Sequence, residues 1–268
     1  MFFKEFYSLL GHRVSDSVTK DRHIRRRVLP VKRSVLYAAL VLLPFICSCA
    51  TVEQEGNVSQ ASAHYKMGVG HLSENKIQQA FVEFQRAYEL DPRNKEVLNA
   101  IGIVYLLHFD ETQKAADFFQ KAVKVDPDYS EAYNNLGVAH EKLGKFDTAI
   151  PFYKKAVSNL LYSTPENSFV NMGRAYYRLG KFNDAATAYK EAIKRAPNLD
   201  LPYLGLALCY NATGKYGDAS VALSRAISLN TVYKGDARRA AEDFNARRII
   251  SSGYEQKDLS DYLEILKY

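Results

Sequence analysis

Six histidines and three cysteines are the side chains of this 268-residue chain best suited to hold a metal or act as nucleophiles. The histidines are dispersed. Beyond residue 48 only His64, His71, His108 and His140 remain, and no two stand at metal-ligand spacing. Two Gly-Lys pairs suggest a phosphate loop and fail its spacing. Gly137 to Gly144-Lys145 and Gly173 to Gly180-Lys181 each enclose six residues where the loop needs four, and Phe146 and Phe182 stand where Ser or Thr would hold the metal. No local motif joins Ser, His and Asp into a triad. Cys209 falls in a helical pattern and reads as a buried structural thiol. Cys47 and Cys49 are too close in the chain for an unstrained disulfide. The expectation is a chain with no catalytic residue, metal, cofactor or small-molecule substrate, one that works through its surfaces.

The two early cysteines sit at the end of a patterned leader. Nine of the 36 Lys+Arg and three of the 30 Asp+Glu fall in residues 1–48, so that segment carries the whole net charge of +6. The remainder is neutral, which gives no basic stripe for nucleic acid. Arginines between Arg22 and Arg33 precede an uncharged run, Ser34 to Ile46. As a helix that run rises only about 20 Å, too short for a hydrocarbon core of about 30 Å. A charged stretch followed by a short apolar one is the pattern of a secretory signal. Ile46-Cys47-Ser48-Cys49 resembles the bacterial lipobox, which implies cleavage before Cys49 and acylation of it; an ordinary cleavage site with two bystander cysteines is the alternative. Two or more acyl chains, at about 0.8 kcal/mol per buried CH₂, make a stable membrane anchor. With Ala50 and no Asp after Cys49, the lipoprotein resemblance implies the periplasmic face of the bacterial outer membrane. Residues 1–48 are thus read as a lipoprotein signal peptide and 49–60, polar and aperiodic, as a flexible tether.

From Ala61 the chain repeats with a period near 34 residues. Gly68, Gly102, Gly137 and Gly173 recur with Ala80, Ala115, Ala149, Ala185 and Ala219, with the large residues Phe84, Phe119, Tyr153, Tyr189 and Leu223, and with Ala87, Ala122, Ala156, Ala192 and Ala226. The small residues let two helices approach, and the aromatics and last alanines are expected to pack into the next repeat. Gly144, Gly180 and Gly214 suit the left-handed residue that ends a helix. Pro92, Pro127 and Pro197 close the second helix. This pattern resembles the tetratricopeptide repeat (TPR). It implies an all-α, right-handed TPR solenoid of about five helix-turn-helix repeats over 61–232, with residues 233–268 as a degenerate repeat and capping helices. Repeat two carries one extra residue around His108 to Gln113, and repeat three runs two residues long through Asn159 to Pro165. Helices are expected at Ala237–Ile250 and Leu259–Leu266, the second with Leu259, Tyr262, Leu263 and Leu266 on one face. Arg238, Arg239, Glu242 and Asp243 read as a solvated helical face.

By the same resemblance the first helix of each repeat lines a concave groove, here through Tyr65, Asn99, Ile103, Leu106, Asn134, Val138, Arg174, Tyr177, Arg178, Leu208 and Asn211. Aliphatic and tyrosine side chains would supply area, and asparagines would pair with a peptide backbone. Arg174 and Arg178, four apart, would grip a carboxylate. Ordinary surface residues on a scaffold that binds elsewhere are the alternative. The basic residues of the clamp that binds chaperone C-termini are missing from the first three repeats. A lipobox, a polar tether and then TPRs, with Tyr162-Ser163-Thr164-Pro165-Glu166-Asn167 before Asn171-Met172-Gly173, resembles the type IV pilus biogenesis and stability lipoproteins, the PilF/PilW pilotin family. That resemblance implies a partner among outer-membrane secretins, whose insertion and multimerisation family members promote. A TPR adaptor for peptidoglycan enzymes or a periplasmic protease is the second reading.

Overall fold

The computed structural model describes residues 56–268; the leader, Cys49 and the start of the expected tether lie outside them. In chain order the helices are α1 (56–73), α2 (Ile77–Leu90), α3 (Lys95–Leu107), α4 (Thr112–Val125), α5 (Ser130–Lys142), α6 (Phe146–Ser158), α7 (Pro165–Arg178), α8 (Phe182–Arg195), α9 (Leu201–Ala212), α10 (Tyr216–Leu229), α11 (Ala237–Ile250) and α12 (Gly253–Ile265). No strand occurs among the described residues. Helices α1 to α10 pack as five sequential antiparallel pairs, α1 meeting α2 through Gly68 and Phe84 and through His64 and Glu83, and each pair packs on the next. This is the all-α TPR solenoid expected from the period. Residues 56–60, assigned above to the tether, already belong to α1. They form a largely exposed helical turn ahead of Ala61, the first fully buried residue.

The repeat residues explain the pairing. A Cβ on Gly68 would lie 2.5 Å from Phe84 Cε1; the same holds at Gly102 for Phe119 and at Gly137 for Tyr153, and Gly173 would lie 2.8 Å from Tyr189. Each ring therefore rests against the backbone of the first helix in its own repeat. The expected packing into the following repeat is present as well: Phe84 shares a core with Val97 and Ile101, Phe119 with Ala132 and Leu136, and Tyr153 with Met172 and Ala175, and a Cβ on Gly205 of repeat five would overlap the Tyr189 ring. In repeat five the glycine and ring become Ala207 and Leu223, both fully buried. The repeat-position alanines on the second helices, the series Ala80, Ala115, Ala149, Ala185, Ala219 and the series Ala87, Ala122, Ala156, Ala192, Ala226, are at most 1 % exposed and bring neighbouring helices close.

The turns within repeats follow one rule with two substitutions. Gly144, Gly180 and Gly214 take φ of 73°, 71° and 73°, the left-handed conformation that ends a helix without a Cβ penalty. In repeats one and two the same task falls to Asn75 (φ 57°) and Asp110 (φ 54°), whose short polar side chains tolerate it. Among the inter-repeat turns, Asn94 caps α3 by accepting from Val97 N at 3.0 Å. Asn159 and Asn230 replace the closing proline: Asn159 Oδ1 accepts from Leu161 N at 2.9 Å, and Asn230 Oδ1 accepts from Val232 N at 2.9 Å.

The regular stack stops after α10. Helix α11 barely touches α10, whereas α12 packs on α11, α9 and α10. The connection 230–236 contains two left-handed residues, Lys234 (φ 49°) and Gly235 (φ 87°). It swings the last hairpin off the axis of the stack. Tyr233 fastens the base of that hairpin: its hydroxyl donates to Asp243 Oδ2 at 2.5 Å and its ring meets Phe244 edge-on. Asp243 is therefore engaged, not part of a solvated face. Helix α12 begins six residues before the expected Leu259, at Gly253 (φ 60°). Its Leu259 and Ile265 are buried, and Tyr262, Leu263 and Leu266 pack on the same core.

Candidate functional site: a concave face with one half filled

Successive first helices, α3 with α5, α5 with α7 and α7 with α9, pack on one another more closely than the second helices do. The first helices therefore line the inside of the curve. The candidate residues divide along this face.

In the first three repeats Tyr65, Ile103, Asn134 and Val138 are half-buried. Near them Val69 and Leu107 are 44 % and 67 % exposed. Leu106, expected in the groove, is 4 % exposed. It turns into the core between α3 and α5, and its neighbour Leu107, about 100° further round the helix, is the one that faces solvent. Asn99 is 8 % exposed. Its amide oxygen accepts from Asn135 Nδ2 at 3.0 Å, so it serves the stack and is not free for a peptide backbone.

That contact belongs to a polar ladder across three first helices. Asn135 Oδ1 accepts from Asn134 Nδ2 at 3.4 Å. Asn134 Oδ1 accepts from Ser168 Oγ at 2.8 Å and from Asn171 Nδ2 at 3.0 Å. Asn171 Oδ1 accepts from Arg174 Nη2 at 2.9 Å, and Arg174 closes on Glu141 through Nε and Nη2. Tyr153 Oη donates to Glu141 Oε2 at 2.9 Å. Burial first, then the Glu141 charge, pushes the Tyr153 hydroxyl pKa far above its ordinary value, so it remains a donor. Each repeat contributes a rung, and the ladder fixes repeats two to four against sliding.

In repeats four and five the groove is occupied by α12. Arg178 forms a two-pronged pair with Asp258, Nη1 donating to Oδ1 at 2.8 Å and Nη2 to Oδ2. Tyr177 Oη donates to Asp261 Oδ2 at 3.4 Å. The Tyr254 ring stacks under the Arg178 guanidinium, 4.6 Å from its centroid, and meets Phe146 edge-on at 5.8 Å. Leu259 and Ile265 share one core with Tyr177 and Leu208. Tyr177 and Leu208, expected to meet a partner, are 8 % and 5 % exposed and are buried in that core. Arg174 and Arg178 do not act as a joint grip. Each holds a carboxylate of this chain, Glu141 for the first and Asp258 for the second. Asn211 is half-buried, and its Oδ1 has no hydrogen-bond donor among the described residues.

Between α12 and the inner wall remains a cavity of ≈ 790 Å³ lined by Val138, Glu141, Arg174, Leu204, Tyr233 and Glu255 among others. Its wall is mixed, with carboxylates and guanidinium groups already paired. Cys209 is 1 % exposed, and burial pushes its thiol pKa up to about 12; a thiol so protonated is a packing group. His140 stacks on Phe152 at 5.2 Å, and burial lowers its pKa. No group of three or more His, Cys, Asp or Glu among the described residues could hold a metal.

The comparisons with known proteins agree with this geometry. Tetratricopeptide-repeat family models match residues 111–144, 130–159 and 167–199. No curated protein sequence matches the chain. Among solved structures, Pseudomonas aeruginosa PilF is 20 % identical, with a TM-score of 0.61 over 77 % of this chain and 90 % of that one. PilW, described as a widely conserved type IV pilus biogenesis factor, is 20 % identical, with a TM-score of 0.59 over 74 % and 96 %. YrrB, described as a TPR protein with an unusual peptide-binding site, is 19 % identical, with a TM-score of 0.54 over 70 % and 96 %. The repeats are tetratricopeptide repeats, and the fold is the TPR solenoid that PilF and PilW also have. A scaffold for protein interaction is the role such a fold serves.

Proposed function

We propose that this protein is a lipid-tethered, non-catalytic adaptor that holds a segment of an outer-membrane secretin and promotes secretin assembly in type IV pilus biogenesis. The observation that carries this reading is the half-open concave face. Repeats one to three leave Tyr65, Val69, Ile103, Leu107 and Val138 available to a partner, while the polar ladder holds α3 and α5 in register with α7. The PilF and PilW likeness supports the choice of partner.

In this reading no bond is made or broken. Acyl chains on Cys49 keep the protein at the periplasmic face of the outer membrane. The apolar residues of the open face cover an extended or helical partner segment, and the tether raises the local concentration so that modest affinity suffices.

Two variants test the proposal. Cys49→Ser is expected to leave the helices intact, release the protein from the membrane and reduce secretin multimers. Ile103→Lys, which puts an unpaired charge in the open face, is expected to leave the protein anchored but lose secretin capture. Normal multimers with a soluble C49S protein, or undiminished capture by I103K, would contradict the proposal.

A further inference from the structure

The connection from α6 to α7, residues 159–164, holds two leucines away from the core. Leu160 and Leu161 are 98 % and 91 % exposed, more than any other large hydrophobic side chain among the described residues. The loop that carries them is tied down on both sides. Asn159 Nδ2 donates to the Asp128 carbonyl at 3.0 Å, while its Oδ1 accepts from Leu161 N at 2.9 Å. Tyr162, 8 % exposed, plugs into the core, its hydroxyl 3.4 Å from Ser168 Oγ. A fixed loop presenting adjacent leucines forgoes apolar burial within the monomer, so its natural complement lies outside it.

The topology gives the direction in which they point. In a stack of antiparallel pairs, every first helix starts, and every second helix ends, on the same edge. The contacts bear this out: Lys95 pairs with Asp126 at 2.5 Å, Asn159 with Asp128, and Asn230 Nδ2 with Asp200 at 2.7 Å. Helix α1 runs alongside α3, with Ala61 in one core with Val97. The chain therefore enters the solenoid on the edge that carries Leu160 and Leu161. Leu201 and Val232, each 54 % exposed, flank later turns of the same edge. Exposed cations accompany them in the last turns of α4, α6 and α8: Lys124, Lys155, Lys194 and Arg195. The acids Asp126, Asp128 and Asp200 are engaged by Lys95, Lys155 and Asn230. Glu96, Glu131 and Glu166, in the first turns of α3, α5 and α7, lie on the same edge, so its charge is mixed; protruding leucines beside snorkelling lysines, on the edge by which the chain enters, fit a lipid surface.

We propose that the Leu160–Leu161 loop is a second bilayer contact, which seats this edge on the lipid surface and sets the direction in which the concave face opens. The proposal rests on the reading that Cys49 is acylated. Residues 50–55 reach at most about 20 Å when extended, so a lipid on Cys49 keeps the leucine-bearing edge close to the bilayer.

The chain has no tryptophan, so Leu161→Trp creates a single fluorescent reporter at a site that folding does not use. Leu107→Trp, at the end of α3 on the opposite edge, is the matched control. The full chain is reconstituted on vesicles of phosphatidylethanolamine and phosphatidylglycerol, with and without lipids brominated near the headgroup. Flotation reads membrane attachment, and intact mass reads acylation. Expected are flotation of both variants, a blue shift and bromine quenching for L161W, and neither for L107W. Flotation without a shift in L161W, or equal shifts in both, overturns the loop contact while leaving the anchor standing. Failure to float overturns the anchor and the loop contact together. A blue shift of L161W produced by added secretin, with none from lipid, overturns the contact and assigns the loop to a protein.

Discussion

The two ends of the concave face are built from the same repeat and differ in who occupies them. In repeats one to three the outer side chains of the first helices face solvent, and from repeat two onward those helices are joined by an asparagine ladder that runs into repeat four. In repeats four and five the same helical positions are covered by α12, which brings its own acid to Arg178, its own ring to Phe146 and its own leucine to the core. The filled half shows what the face can hold: a helix of about three turns, with an aromatic residue, an acid four residues later and an apolar stripe. The open half shows the same kind of surface without that helix. Where the last hairpin goes, and not the repeat itself, decides how much of the groove a partner can reach.

The largest test of this contrast is Arg178→Ala. The side chains of the Arg178–Asp258 pair are 10 % and 16 % exposed, and removing one member of a buried pair costs about 3–5 kcal/mol. The loss should appear in chemical denaturation as early melting of α11–α12 while α1 to α6 keep their stability, because repeats couple only to neighbours. Leu259→Ala should cost about 2–4 kcal/mol with the same regional signature, and uniform melting would break the comparison. Asn134→Ala, on the open side, strips the ladder of the acceptor used by Ser168 and Asn171. It should cost about 1–3 kcal/mol and loosen repeats three and four without releasing α12. Cys209, held protonated beneath α12, should resist thiol-specific reagents in the native protein and react once R178A has opened the region.

The smallest expected effect is one of pH. Hydrogen bonding from His64, opposed by burial and reinforced by the Arg86 charge, holds the Glu83 carboxyl below its ordinary value of 4.5. A depressed folded pKa stabilises above the unfolded value, and that stability is lost as pH falls through the folded one. Amide protection in α1–α2 should therefore decline as pH falls below the ordinary carboxyl value of 4.5, at the open end of the molecule. Unchanged protection there would remove Glu83 from the account of that end.

The contrast also marks how far the sequence could be read. The five repeats were legible because their signals are local: a glycine and an aromatic residue sixteen or seventeen positions apart meet within one helical hairpin, as Gly68 and Phe84 do. The left-handed turns at Gly144, Gly180 and Gly214 were legible for the same reason, whereas Asn75 and Asp110, doing the same work, carry no distinctive residue type. Groove positions were read by analogy with a generic repeat, and Asn99, Leu106, Tyr177 and Leu208 proved to be buried. For Tyr177 and Leu208 the cause lies in α12. Arg178 and Asp258 stand 80 residues apart, and no local pattern connects them. The apolar face of the last helix was visible in Leu259, Tyr262, Leu263 and Leu266, but not the surface it would choose. That choice is made by the 230–236 turn, whose left-handed Lys234 breaks the repeat's own rule.

Native-state hydrogen exchange on the full chain tests the half-filled groove most directly. The account predicts that the amides of α12 are protected to nearly the level of α9, and that R178A lowers protection in α12 while leaving α1 to α6 unchanged. Exchange of α12 in the wild-type chain at the rate of a free helical tail would contradict it.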